Sequence, residues 1–425
     1  MKEEFLHFLW QHKLFNFTHL KLVSNEKLEI VKSGVLNKNS GPDFLNSQII
    51  IENQIWFGNI EIHLKSSDWY LHQHEIDSNY DAVVLHVVWE HDVDVFMKNN
   101  KSLPTLVLKD YVENEVLYNY QNLFSKQQRW IPCQNQINNI DDFVFKNWLE
   151  RLYFERLENK SILIKELLQK SNNDYEAVLF QLLAKNFGLK VNGDSFLSLA
   201  QSFDFSILRK VRFEEKTLMA LLFGQAGFLE EESEKVYHET LKIEYKYLQH
   251  KYNLHPVANR SFQFFRMRPS NFPTIRIAQL VSLFHKHQNL FSKLIELNKL
   301  EDFYTLFSVE VSDFWKMHYT FETVSKKSPK KLTKSFIDLL LINTVIPLKF
   351  VYLQGRGEVT EENILSLIKQ LNPEKNSIIS KFSELKISSN NAFDTQALLE
   401  VKNNYCALKR CLQCAIGNSL LKESV

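Results

Sequence analysis

Strand-like and helix-like hydrophobic patterns occupy different parts of this 425-residue chain. Near the N-terminus, Phe44–Ile51 and Ile55–Lys65 are apolar runs separated by a polar turn, and Ala82–Trp89 is apolar on both faces. Such runs predict two antiparallel strands and a third strand that is buried within a sheet. The first part of the chain is therefore expected to form a sheet.

After Arg129 the apolar residues recur every three or four positions, which is the spacing of amphipathic helices. The chain is also longer than one hydrophobic core usually supports, so we expect at least two domains. The predicted architecture is an N-terminal α/β domain with a mixed sheet at 1–128, followed by a large all-helical domain at 129–425.

Charge is unevenly distributed along the chain, although the formal net charge is only +1. Residues 1–130 hold 17 acidic and 12 basic residues, and no arginine precedes Arg129. An acidic region without arginine suits a cation better than a phosphate group, which the guanidinium fork fits well.

Neither the N-terminus nor the most apolar segment of the chain has the pattern of a membrane-directed or membrane-spanning segment. The N-terminus lacks the basic flank and apolar stretch of a signal peptide. The most apolar long segment, residues 336–353, is interrupted by Asp338, Asn343 and Lys349. The sequence predicts a cytoplasmic protein that does not span a membrane.

The two N-terminal strands carry carboxylates that can face each other. With the turn centred on residue 53, Asp43 lies opposite His63, and Glu61, His63 and Lys65 share one strand face. Asp43 and Glu61 can then hold one Mg²⁺ or Mn²⁺ ion, while Lys65 or His63 activates water or neutralises charge. The alternative is a hairpin with ordinary turn chemistry and a solvated polar edge.

These residues carry a resemblance to a known superfamily. Pro42-Asp43 and Glu61-Ile62-His63, on consecutive strands after a helix, resemble the motifs of the PD-(D/E)XK nucleases, with His63 where the motif has lysine. The resemblance implies a restriction-endonuclease-like core and divalent-metal-dependent cleavage of DNA or RNA. A wider resemblance, to the family catalogued as domain of unknown function 2851, implies no activity and is carried by GPDF, GNIEIH, FGQAG, RMRPSNFPTIR and YCALKRCLQCAIG.

Histidines near the same strands suggest a second kind of centre. His72 and His74 flank one residue and lie on one side of an extended chain, and His63 precedes them by nine residues. Imidazoles are common ligands for Zn²⁺, Fe and Mn²⁺. The three histidines favour a His-ligated metal-dependent hydrolase, which is a different class of enzyme from the carboxylate-based nuclease.

The four cysteines of the chain form a possible metal site of their own. Cys406, Cys411 and Cys414 are closely spaced, and Cys133 is distant in sequence. Four thiolates suit a structural Zn²⁺ or an iron–sulfur cluster, which requires segment 400–425 to pack near Cys133. The alternative is that they are small buried residues of a helical core.

Arginines and phenylalanines alternate in the segment that precedes one of the helices. Arg266, Arg268 and Arg276 are candidates for contacting nucleic-acid phosphates, with neighbouring rings for base stacking. A buried structural loop is the alternative. If the N-terminal carboxylates are inactive, the helical domain is expected to bind a protein partner instead, and the protein is then a non-catalytic scaffold.

Overall fold

The structure is a computed structural model that describes residues 1–125, 129–257, 262–358 and 361–422. The chain divides into two compact units, Met1–Leu149 with Glu400–Val425 and Glu150–Leu399. The first unit reaches Leu149, beyond the predicted boundary at 128, a residue that lies outside the described ranges. It also includes the C-terminal segment, whose helix Ala415–Lys422 packs against helix Asn114–Leu123.

The described strands form one seven-stranded mixed sheet in the first unit. They are β1 (Leu20–Lys21), β2 (Lys27–Lys32), β3 (Val35–Leu36), β4 (Phe44–Ile51), β5 (Gln54–Lys65), β6 (Val83–Glu90) and β7 (Thr105–Val107). The order is β1-β2-β4-β5-β6-β7, with β3 also paired to β4. Pairing is antiparallel as far as β4–β5 and parallel for β5–β6 and β6–β7.

Helices dominate the rest of the chain, which confirms the predicted order of an N-terminal mixed sheet followed by a largely helical region. In chain order the described α-helices are α1 (Glu3–His12), α2 (Asp68–Leu71), α3 (Asn114–Leu123), α4 (Asp142–Lys170), α5 (Tyr175–Phe187), α6 (Leu189–Gln201), α7 (Phe205–Val211), α8 (Glu215–Gln225), α9 (Val236–Tyr252), α10 (Pro273–Lys286), α11 (Leu290–Glu296), α12 (Leu300–Leu306), α13 (Asp313–Lys316), α14 (Lys334–Leu340), α15 (Ile346–Arg356), α16 (Glu361–Gln370), α17 (Ser377–Glu384), α18 (Ala392–Glu400) and α19 (Ala415–Lys422).

The register of the β4–β5 pair differs from the one predicted. The turn contains two residues rather than three, since Ile51 pairs with Gln54 and Glu52 has a positive φ of 54°. A register shift near the start of β4 then places Phe44 opposite Ile60. Asp43 therefore lies level with Glu61, not with His63 as predicted. The tight turn and the shift each displace the pairing by about one residue, which moves side chains relative to their cross-strand partners.

The site-bearing strand β5 is covered by a helix. Helix α1 packs against β5, and its apolar face buries Phe5, Leu9 and Trp10. On β5 itself the run Ile60–His63 is buried, so polar side chains within it are removed from water together with the apolar ones. Strand β6 is buried along most of its length between β5 and β7, as a central parallel strand requires.

The second unit contains the one described helical segment that is long and apolar enough to cross a membrane. It runs from Lys334 to Arg356, and 78% of its most apolar window is buried inside the protein. Within it, the Lys349 ammonium donates to the carbonyl oxygen of Leu297 at 2.9 Å and to Asn298 Oδ1 at 2.8 Å. Burial on most sides and a satisfied internal charge are the features of a core helix.

The α8–α9 contact depends on a glycine. A Cβ atom added at Gly224 would lie 2.2 Å from the ring of Tyr245, so the two helices could not keep their present spacing. We expect Gly224→Ala to reduce the free energy of unfolding by about 1–3 kcal/mol through overpacking. Urea denaturation of the full chain measures the effect.

The matched control for that substitution is Gly355→Ala in α15. Its added Cβ meets only the Tyr175 hydroxyl, at 3.9 Å, so alanine should be neutral or should stabilise the helix by up to about 1 kcal/mol. Equal effects of the two substitutions would show that the close α8–α9 contact is not what requires Gly224.

Candidate metal centre

Asp43 and Glu61 are joined across the β4–β5 pair by hydrogen bonds to backbone amides. The N–H of Asp43 donates to Glu61 Oε2 at 3.1 Å, and the N–H of Ile62 donates to Asp43 Oδ2 at 2.9 Å. The two carboxylates are therefore oriented by the strands themselves. The observed register produces this arrangement, because it places residue 43 level with residue 61.

The Glu61 carboxylate is also in contact with two imidazoles. Its Oε1 lies 3.4 Å from His63 Nε2 and 3.3 Å from His74 Nε2. Glu61 is only 5% exposed, and burial, followed by the nearby charge of Asp43, raises the pKa of its carboxyl to about 9. A carboxylate in such a place needs a cation to hold it ionised at neutral pH.

Three histidines complete this group. The ring nitrogens of His63, His72 and His74 that could bind an ion lie within 4.8 Å of one another. His63 Nε2 is 3.2 Å from His72 Nδ1, and its other nitrogen, Nδ1, is 2.9 Å from Nε2 of His86 on the neighbouring strand β6. His86 thus orients the ring of His63, as a hydrogen-bond partner commonly does for a metal-binding histidine.

The buried imidazoles of this group are neutral at physiological pH. Burial, reinforced by the adjacent imidazoles, lowers the pKa of His63 to about 2 and that of His86 to about 3. Burial also lowers the pKa of His74. Since a metal ion binds the neutral ring, these histidines are already in the ligating form.

A second potential ligand group lies beside the first and includes two residues that the sequence analysis missed. Glu3, His7 and Asp43 offer ligand atoms within 4.8 Å of one another. His7 Nε2 is 3.2 Å from Asp43 Oδ2 and 3.7 Å from Glu3 Oε1. Burial lowers the pKa of His7, but the hydrogen bond and charge of Asp43 outweigh it, and the net pKa is raised. His7 therefore carries a proton more readily than His63, His74 and His86, whose pKa values are lowered.

The predicted residues are distributed as follows. The structure brings Asp43, Glu61, His63 and His74 together, with His72 at the exposed side of the group. Lys65 ends β5 with an exposed side chain, and its backbone N–H donates to Asp68 Oδ2 at 2.9 Å. In the same unit, the four cysteines line one small cavity.

The three arginines that were predicted to contact phosphates belong to the second unit. Arg276 is buried, lies 3.6 Å from the centre of the Phe336 ring, and donates to Gln279 Oε1 and Asn271 Oδ1. Arg266 is exposed over the ring of Phe265. Arg268 is exposed at the edge of a polar cavity of about 470 Å³. A role for them in phosphate binding stays a prediction.

Together, the sheet and its histidine–carboxylate group define an α/β protein with a candidate divalent-metal centre, followed by a helical unit. Residues 3–377 match the family described as protein of unknown function (DUF2851), and the chain belongs to that family. No curated protein and no solved structure matches the chain. The matched range contains every residue of the two ligand groups, whereas Cys406, Cys411 and Cys414 lie beyond it.

Proposed function

We propose that the protein is a divalent-metal-dependent nuclease whose ion is held by Glu61 and the histidines of β5 and the following segment. The observation that carries the proposal is the contact of a buried carboxylate with two neutral imidazoles, at 3.3 and 3.4 Å, beside a second carboxylate on the paired strand. A cation bound among these groups would offset the free-energy cost of burying the Glu61 carboxylate.

The ligand types favour one class of ion. Imidazole nitrogen suits Mn²⁺, Fe²⁺ and Zn²⁺, whereas Mg²⁺ prefers oxygen ligands and retains several waters. Glu61, His63, His72 and His74 offer three nitrogens and one carboxylate. In this proposal Mn²⁺ is the working ion, and Mg²⁺ supports less activity.

Each side chain has a role that follows from its position. When bound, the ion would polarise a phosphate and lower the pKa of a water. His63 and His74 would act as ligands rather than as charged groups, because their pKa values are lowered. Asp43 would orient His7, whose raised pKa lets it carry positive charge toward a phosphate oxygen.

The choice of nucleic acid as substrate rests on the resemblance to the PD-(D/E)XK superfamily. Asp43 immediately before β4 and Glu61 on the antiparallel partner β5, with α1 before them, support a restriction-endonuclease-like core. The position that has lysine in that motif is held by His63, and Lys65 is exposed. His7 is the residue that we propose to supply the missing charge.

The test is cleavage of single- and double-stranded DNA and RNA in Mn²⁺ by the full chain. We expect activity that falls by at least about 100-fold in Asp43→Ala, Glu61→Ala and His74→Ala. Glu29→Gln on β2 is the matched control, since Glu29 is an exposed carboxylate paired with Lys27 on the same sheet. It should cleave as the wild type does.

Other outcomes distinguish the rival functions. The three imidazoles within 4.8 Å also suit a His-ligated hydrolase of small esters or phosphomonoesters, so both substrates belong in the same assay. Cleavage of these compounds but not of nucleic acid would show that the protein is a His-ligated hydrolase and not a nuclease. If a metal-loaded protein cleaves none of them, the scaffold hypothesis, with a protein partner for the helical unit, replaces the nuclease.

A further inference from the structure

The four cysteines of the chain converge in the first unit from two segments that are far apart in sequence. Cys133 lies between α3 and α4, and the other three lie in the C-terminal segment that precedes α19. All four line one small, closely packed cavity, together with Leu123, Pro132, Tyr405, Arg410 and Gly417. They are free thiols, and Cys133, Cys411 and Cys414 are each only 7% exposed.

The cavity wall offers soft metal ligands, namely cysteine sulfurs. Among its described lining residues the only metal-ligating side chains are the four thiols, without a carboxylate or an imidazole. Burial, and then the neighbouring cysteines, raise the pKa of the Cys133 and Cys406 thiols, that of Cys133 to about 12. Without a metal, these thiols are neutral.

Burial raises the pKa of the Cys414 thiol as well, but hydrogen bonds to its sulfur act in the opposite direction. Cys414 directly precedes α19, and its sulfur accepts hydrogen bonds from the backbone N–H groups of Gly417 and Ile416. Donors around sulfur and a helix N-terminus stabilise the anionic form that binds metal. Lys402 and Lys409 contribute positive charge, since they act to lower the pKa values of Cys406 and Cys411 respectively.

The backbone around the cysteines is built for close approach. A Cβ atom at Gly417 would lie 2.1 Å from the carbonyl oxygen of Cys411, so only glycine permits this turn. The Lys402 ammonium donates to the carbonyl oxygen of Trp130 at 2.6 Å, and the Trp148 and Tyr405 rings meet edge to face at 5.1 Å. The two segments that carry the cysteines are thus held together on both sides of the cavity.

The spacing of the sulfurs separates two kinds of metal centre. A tetrahedral Zn²⁺ with Zn–S bonds of about 2.3 Å requires sulfurs about 3.8 Å apart. Among the described residues, the groups of three ligand atoms within 4.8 Å of one another are His63–His72–His74 and Glu3–His7–Asp43, and no three of the cysteines form such a group. Wider spacing suits a cluster in which each thiolate binds a different iron.

We propose that Cys133, Cys406, Cys411 and Cys414 ligate an iron–sulfur cluster that joins the segment before α4 to the C-terminal segment. Each thiol would release its proton on binding one iron of the cluster. The cluster has a structural role in this proposal, and it is independent of the histidine–carboxylate centre.

Metal analysis of the full chain, purified without air, tests the proposal. We expect about four iron atoms and four acid-labile sulfides per chain, with the visible absorption of thiolate-bound iron. If the protein emerges without metal, reconstitution with a mixture of ferrous and ferric iron and with sulfide should produce the same content. One zinc per chain without sulfide, or a chain that takes up no cluster on reconstitution, would overturn the proposal.

Variants separate this site from the proposed nuclease centre. Cys406→Ser and Cys411→Ser should lose most of the iron, whereas Leu408→Ala, at an exposed position between them, should retain it. Glu61→Gln should also retain the cluster, so failure of the nuclease proposal leaves this result unaffected. If the serine variants do not fold, chelation of iron from the oxidised wild-type protein should lower its Tm, and an unchanged Tm would contradict the structural role.

Discussion

The Glu61→Gln protein is expected to bind Mn²⁺ at least about 100-fold more weakly than the wild type. Glutamine keeps the size of the side chain, but it offers a neutral oxygen where the ion requires a carboxylate. Because burial leaves Glu61 protonated, with a pKa of about 9, ion binding to the wild type at pH 7 should also release about one proton. Titration calorimetry in buffers of different ionisation enthalpy measures both quantities.

The control for Mn²⁺ binding is again Glu29→Gln, which should bind with wild-type affinity because its carboxylate is exposed on β2. His74→Ala removes one proposed imidazole ligand without changing Glu61. It should weaken binding while preserving the release of a proton. Equal affinities for wild type and Glu61→Gln would mean that any ion lies elsewhere.

Glu61→Gln should also change how the free energy of unfolding depends on pH when a chelator keeps the protein free of metal. The Glu61 pKa is raised from 4.5 to about 9 in the folded chain, so the folded state holds a proton that the unfolded state has lost in this window. The contribution of Glu61 to stability is therefore full below pH 4.5 and is lost as pH rises toward 9. Glutamine has no such dependence.

As pH rises, the unfolding free energy of the wild type should therefore fall relative to that of Glu61→Gln. The expected change is about 1.4 kcal/mol per pH unit, or about 4 kcal/mol from pH 5 to pH 8. Denaturant unfolding of both proteins at several pH values measures it. Saturating Mn²⁺ should remove the disadvantage of the wild type at pH 8. A difference that does not vary with pH would show that Glu61 is ionised in the folded protein.

Much of the sheet follows from local patterns. The predicted strands Phe44–Ile51 and Ile55–Lys65 match β4 and β5 within one residue, since alternating and β-branched residues bounded by polar turns specify strands locally. The change to helical spacing after Arg129 predicts the helical remainder for the same reason. These signals depend only on neighbours in sequence.

The residues that lie next to Asp43 in the structure could not be predicted from local sequence patterns. The predicted pairing of Asp43 with His63 was wrong because the turn has two residues and the register shifts near the start of β4. Glu3 and His7 were missed, although their spacing of four residues places them on one face of α1. A helix pattern does not tell which strand its polar face will meet.

Residue types and their local spacing specify the kinds of element, their order, and the carboxylates, imidazoles and thiols available for chemistry. Which of these groups meet depends instead on packing between segments that are distant in sequence. Packing of α1 against β5 brings His7 to Asp43, and packing of α19 against α3 holds the C-terminal segment so that Cys414 lies near Cys133. Such contacts arise from the burial of apolar faces between distant segments, which no local pattern encodes.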